Sequence, residues 1–141
     1  MSLFVDTSVW YAAADSSDVG NDRAKEILSA GEALVTTDHV LLETWTLLRY
    51  RIHRAAAEAF WTALRGGAGR LEPVGPADLE AAWGIGRDFP DQDFSFVDRT
   101  SFAVMERLGV HRAASFDDDF AVYRFGPRRS RAFEVVRQAP I

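Results

Sequence analysis

The 141-residue chain has no cysteine, a single lysine, three histidines and no long apolar run. The missing cysteines exclude a disulfide framework and any thiolate metal site, and they fit a reducing compartment. His39, His53 and His111 lack the spacing of an imidazole metal site, so core or surface roles are expected for them. No apolar stretch approaches the roughly 20 residues that cross a bilayer. The first basic residue is Arg23, so the N-terminus lacks the positive region of a signal peptide. The expectation is a soluble, cytoplasmic protein with no membrane partner. Lys25 is the only lysine, which leaves no P-loop lysine. There is no G-x-S-x-G motif. Gly84-Ile85-Gly86 is a poor nucleotide fingerprint, because the third glycine is missing and no strand precedes it.

What is present is ordinary in bulk. Hydrophobic residues at 48% and charged residues at 26% are globular values. The length predicts one domain, residues 1–141, burying roughly two-thirds of the unfolded chain's surface. The net charge of −5 on its face argues against nucleic acid. The basic residues are nevertheless almost all arginine, the better residue for phosphate. Arg124, Arg128, Arg129 and Arg131 form the one basic cluster, a candidate contact for RNA or for an acidic partner, with a solvated loop as the equal alternative.

Leu3-Phe4-Val5 runs straight into Asp6-Thr7-Ser8 and then into an apolar, helix-like stretch. That pattern reads as a buried strand with Asp6 at its carboxyl end, where open α/β sheets place their chemistry. Further strands are expected at 33–36, 71–74, 112–116 and 133–136. The helices expected between them cover 21–30, 38–52, 55–64, 77–87 and 95–108, with a short one over 117–123. The alternation predicts an α/β, three-layer fold, with a central, mostly parallel sheet flanked by helices.

Four acids then fall near the carboxyl edge of the sheet. Asp6 ends the first strand, Glu43 lies within the helix after the second, Asp98 opens the helix after the Pro90 loop, and Asp117 follows the fourth strand. Each has a plainer reading. Asp6 and Asp117 stand where helix caps stand, and Ser95-Phe96-Val97-Asp98 has the form of a capping box. Together they are harder to dismiss. Two carboxylates about 5 Å apart repel by roughly 3 kcal/mol at an effective dielectric of 20, so a cluster calls for a cation. All-oxygen ligands suit Mg²⁺, with Mn²⁺ as a substitute. Trp10 and Tyr11 could stack on a base, although core packing is favoured. Trp45, Phe60 and Trp61 suggest core or a partner interface.

The ordered set of Leu3-Phe4-Val5-Asp6-Thr7-Ser8, helical Glu43, Asp93-Phe94-Ser95-Phe96-Val97-Asp98 and Ser115-Phe116-Asp117-Asp118-Asp119-Phe120 resembles a PIN domain. Within that family, length and motif order resemble the VapC toxins of bacterial toxin–antitoxin pairs. The resemblance covers essentially the whole chain and implies a metal-dependent endoribonuclease. Its acidic quartet falls on Asp6, Glu43, Asp98 and Asp117, with Asp119 or Asp118 as a further acid. Thr7 or Ser8 would orient Asp6 or a metal-bound water. The implied partners are an RNA substrate, a VapB-type antitoxin and a second copy of the chain. Two other classes compete. A receiver-like or D-x-D phosphatase domain lacks its late lysine here and has Thr7 and Ser8 where further acids belong. A catalytically idle binding module would have no use for the quartet.

Overall fold

The computed structural model describes residues 2–138. Five strands form one sheet: β1 (Ser2–Val5), β2 (Ala33–Thr37), β3 (Arg70–Glu72), β4 (Arg112–Ala114) and β5 (Glu134–Val136). Their order is β3-β2-β1-β4-β5 and every pairing is parallel, so the expected mostly parallel sheet is wholly parallel among the described residues. Phe4 pairs with Val35 on one side and with Ala113 on the other. The strand read first in the sequence is therefore the middle of the sheet, and its apolar run is fully buried.

Parallel strands require crossovers, and helices supply them. They are α1 (Thr7–Ala14), α2 (Asn21–Leu28), α3 (Asp38–Arg51), α4 (Arg54–Arg65), α5 (Pro76–Asp88), α6 (Phe96–Leu108) and α7 (Asp119–Val122). The first crossovers step outward through β2 to β3. The next returns past β1 to β4, and the rule of right-handed connection then carries α5 and α6 to the other face. The order reverses between β1 and β4, which is the switch point where α/β sheets bind ligands.

Local chemistry sets the helix ends. Thr37 Oγ1 accepts from the Val40 N–H to start α3, and Ser95 Oγ accepts from the Asp98 N–H to start α6. His53 Nδ1 accepts from the Ala56 N–H to start α4, so this histidine is a cap. Gly109 ends α6 at φ +68°, a left-handed conformation that glycine adopts without strain. The expected elements all appear, with ends moved by up to a few residues. Two-residue trims fall on α2, which stops at Leu28, on β3 and β4, which stop at Glu72 and Ala114, and on the last helix, which starts only at Asp119.

Aromatic packing fixes that last helix. Phe120 is fully buried, stacked on Phe4 of β1 with centroids 6.2 Å apart and edge-on to Phe102 of α6 at 5.0 Å. Burying a phenyl group contributes about 1.5–3 kcal/mol. One short turn is thereby held against the central strand, and the Asp117–Asp119 segment is held with it. Trp10 is also core, 5% exposed and packed on Phe60 at 5.7 Å, which removes it from any base-stacking role. Trp45 and Trp61 are half-buried beside Leu41 and exposed Leu42.

Candidate active site

Asp6 leaves β1 with its backbone still on the sheet, where its N–H donates to Ala114 O at 3.0 Å. It occupies the N-cap position of α1, yet its side chain makes no capping bond. Instead its Oδ2 accepts from Ser8 Oγ and from Ser115 Oγ, both at 2.9 Å. Ser8 Oγ accepts in turn from the Phe116 N–H at 2.9 Å. A short hydroxyl network thus ties the end of β1 to the end of β4. Ser115 was quoted in the sequence motif but given no role there. Its signal is its place: the last residue before the turn that carries Asp117.

Asp98 lies in the first turn of α6 and is 9% exposed. Burial pushes Asp6 up to about 6, with the Asp117 charge adding to the rise and the two serine hydroxyls opposing it. Burial pushes Asp98 further, to about 8, followed by the charge of Asp6 and a hydrogen bond with Asp119. Asp117 is also raised, by desolvation first and then by the Asp119 charge. Asp6, Asp98, Asp117 and Asp119 are therefore within electrostatic reach of one another. Asp119, half-buried and hydrogen-bonded to Asp98, is as much part of the group as the more exposed Asp117.

A cavity of about 510 Å³ opens at this sheet edge, lined among others by Thr7, Ser8, Glu43, Ser95, Asp98 and Asp117. Asp6 lies behind that wall, 1% exposed. Glu43 reaches the cavity from one face of α3, together with Leu47 and Arg51 on the following turns. The remaining lining includes Tyr11, Asp18, Arg23 and Phe116. None of Arg124, Arg128, Arg129 and Arg131 lines it. Arg129 instead lies 4.6 Å over the Phe89 ring and pairs with Asp88, and Arg124 turns back onto the carbonyls of Ala121, Val122 and Tyr123.

The donor set is oxygen only. Among the described residues no three His, Asp or Glu side chains already stand as a finished metal cage. Oxygen donors are the kind Mg²⁺ takes, one or two carboxylates directly and waters for the rest. Two further features fit a cation. Among the described residues Asp6 and Asp98 have no basic partner, and a cation would reverse their upward shift. Thr7 Oγ1 is buried at the cavity wall with no hydrogen-bond partner among the described residues. An orphaned buried hydroxyl normally costs about 1–3 kcal/mol, and a bound water or ion would satisfy it.

An all-parallel sheet with buried acids gathered at its switch point defines the class: residues 3–126 match the PIN domain, and the chain belongs to that family. Similarity extends to particular members. The chain is 43% identical over 127 residues to the 23S rRNA-specific endonuclease VapC20 of Mycobacterium tuberculosis, covering 87% of this chain and 95% of that protein. Ribonuclease VapC26 of the same species is 27% identical over 116 residues, covering 82% and 86%. The crystal structure of M. tuberculosis VapC20, described as a sarcin–ricin loop cleaving toxin, superposes with a TM-score of 0.80 at 38% identity, covering 85% of this chain and 93% of that one. VapBC2 of Rickettsia felis, bound to a promoter DNA fragment, shares the fold alone, with a TM-score of 0.65 at 7% identity.

Proposed function

We propose that the protein is a Mg²⁺-dependent endoribonuclease, the toxin of a VapBC-type toxin–antitoxin pair, with Mn²⁺ able to replace Mg²⁺. The observation that carries the reading is the pair of buried, upward-shifted acids, Asp6 and Asp98, at the head of an acidic cavity at the switch point. Asp6, Asp98 and Asp117 would hold the ion, with Glu43 binding a second ion or positioning water, and Asp119 supporting Asp98. The metal supplies an activated water and stabilises charge developing on the phosphate. The chain's own part is positional. Ser8 and Ser115 hold the Asp6 carboxylate through its Oδ2. Ser95 starts α6 and sets Asp98 in its first turn. Thr7 offers its unpartnered hydroxyl to a water at the wall.

The substrate proposed first is 23S rRNA at its sarcin–ricin loop, because the 43% identical relative is named for 23S rRNA and its structure for that loop. A VapB-type antitoxin and assembly as a homodimer complete the proposal. Leu42, 65% exposed beside half-buried Leu41, Trp45 and Trp61, offers apolar surface for such assembly. Among the described residues no helix is long and apolar enough to cross a membrane, and the cytoplasm is the proposed site of action. The test is cleavage of purified ribosomes and of a synthetic sarcin–ricin stem-loop, with Mg²⁺ and with EDTA. Site-specific cutting that needs the metal is expected. Full activity in the Asp6→Asn/Asp98→Asn protein would sink the assignment.

A further inference from the structure

We propose that Arg23 and Arg51 are the phosphate-binding residues of the acidic cavity, holding the RNA backbone next to the phosphodiester that reacts. The inference rests on the ribonuclease reading and adds the residues that let a polyanion enter. The entry is electrostatically difficult, since Asp18, Glu43, Asp98 and Asp117 line the cavity with Asp6 just behind. Among the described residues Arg23 and Arg51 are the only basic ones in that lining.

Both guanidinium groups lie against aromatic rings. Arg23 Cζ, on α2, lies 4.9 Å from the centroid of Phe116, the residue just after the Ser115 that holds Asp6. Arg51 Cζ, at the end of α3, lies 5.3 Å from the centroid of Tyr11 on α1. A guanidinium has five N–H donors, so one packed on a ring keeps donors for phosphate oxygens, which it can match bidentately. Among the described residues neither arginine has a carboxylate within salt-bridge distance, although Arg107, Arg112 and Arg137 all do.

The rings are themselves anchored. Tyr11 Oη donates to Asp15 Oδ2 at 3.0 Å, and Asp15 Oδ1 accepts from the Ser17 N–H and hydroxyl. Asn21 Nδ2 donates to Ala12 O at 2.7 Å, tying the start of α2 back to α1. Gly20 lets α2 approach Phe116, since a Cβ there would sit 3.1 Å from the ring. The turn between α1 and α2 is thus a cross-linked frame that presents Arg23 on one support and Arg51 on another. Such preorganisation lowers the entropic cost of gripping a flexible strand. An exposed cation–π contact adds little to stability by itself, so a purely structural role predicts mild effects on melting and none on RNA.

The test uses the full chain and a fluorescent synthetic sarcin–ricin stem-loop as probe. Binding is measured in the Asp98→Asn background over a salt series, and cleavage in the parent background. Arg23→Ala and Arg51→Ala are each expected to weaken binding about ten-fold. Each should also flatten the slope of log affinity against log salt by about 0.7, the loss of one single-strand phosphate contact. KM should rise more than kcat falls, and Arg23→Lys and Arg51→Lys should restore most of the salt slope. Arg65→Ala, which removes the same charge from the last turn of α4, should leave the slope unchanged. Unaltered KM and slope in both alanine variants overturns the proposal, as does an equal effect from Arg65→Ala. An effect from one arginine only overturns the assignment of the other. A parent protein that cuts no RNA overturns the nuclease reading instead, and the salt slopes on the probe still decide the arginines.

Discussion

Asp78 and Asp98 are buried acids in the first turns of consecutive helices, and the fold treats them in opposite ways. Asp78, 4% exposed in α5, accepts from Arg107 Nε at 2.9 Å and from Arg107 Nη2 at 3.0 Å. It also accepts from the Gly75 N–H at 2.9 Å, and the Arg107 bonds hold its carboxyl below the usual range. Asp98, 9% exposed in α6, receives the charge of Asp6 and a hydrogen bond with Asp119, and is pushed up. This chain neutralises a buried acid where the acid is structural. Among the described residues neither Asp6 nor Asp98 has a basic side chain paired with it, which is the pattern expected when the cation comes from solution.

The largest effect should come from breaking the unpaired side of that comparison. Asp98→Asn or Asp6→Asn should lower metal-dependent RNA cleavage by about 10³-fold or more, read in single-turnover assays. The same substitutions should raise the melting temperature of the metal-free protein, since a neutral isostere removes the buried charge. A lower metal-free melting temperature in both variants would count against the electrostatic account.

Breaking the paired side should act on stability. Arg107→Ala strands Asp78 in the interior and also frees Glu72, which Arg107 Nη1 reaches at 3.0 Å. Because the Arg107 side chain is 40% exposed, the loss is set below that of a fully buried pair, at about 1–3 kcal/mol. Urea unfolding would measure it, and adding Asp78→Asn should recover part of it.

Proton linkage sharpens the contrast further. Asp6 and Asp98 have folded-state values near 6 and 8, above the ordinary value of 3.8. Between those limits the folded state binds more protons than the unfolded one. Their contribution is whole below the unfolded value and is lost as pH rises through 6 and then 8. Metal-free melting temperature should therefore fall from about pH 5 to pH 9, and saturating Mg²⁺ should flatten the profile. A metal-free profile that is level over this range would remove the argument for unpaired buried acids.

The smallest effect should come from the basic cluster. Arg129→Ala loses one exposed ring contact and one exposed ion pair with Asp88, at a cost below about 1 kcal/mol. RNA affinity should not change, as a binding titration would show.

These contrasts also explain what the sequence could reveal. β1 was legible because a three-residue apolar run ending in an acid has few other readings, and the order of the four acids followed from the alternation of strands and helices. Asp119 was only half legible. A four-residue helix leaves no periodicity to say which of three neighbouring aspartates turns inward, and the burial of Phe120 decides it. Arg124, Arg128, Arg129 and Arg131 stood out because they are close in the chain, but none of them lines the cavity, and Arg129 lies instead against Phe89 and Asp88. Arg51 was findable, two turns after Glu43 on the same face of α3. Arg23 was not. Its place depends on how closely α2 approaches Phe116, a contact between segments more than ninety residues apart in the sequence.

The hydrogen bond from Ser115 to Asp6 joins residues 109 apart along the chain. A ribosome adds about 5–20 residues per second, so the first acid emerges on the order of 5–20 s before the hydroxyl that orients it. Neither β4 nor the Asp117–Asp119 turn exists during that interval. A growing polypeptide of this kind holds Asp6 without its Ser115 partner until most of the sheet has been made.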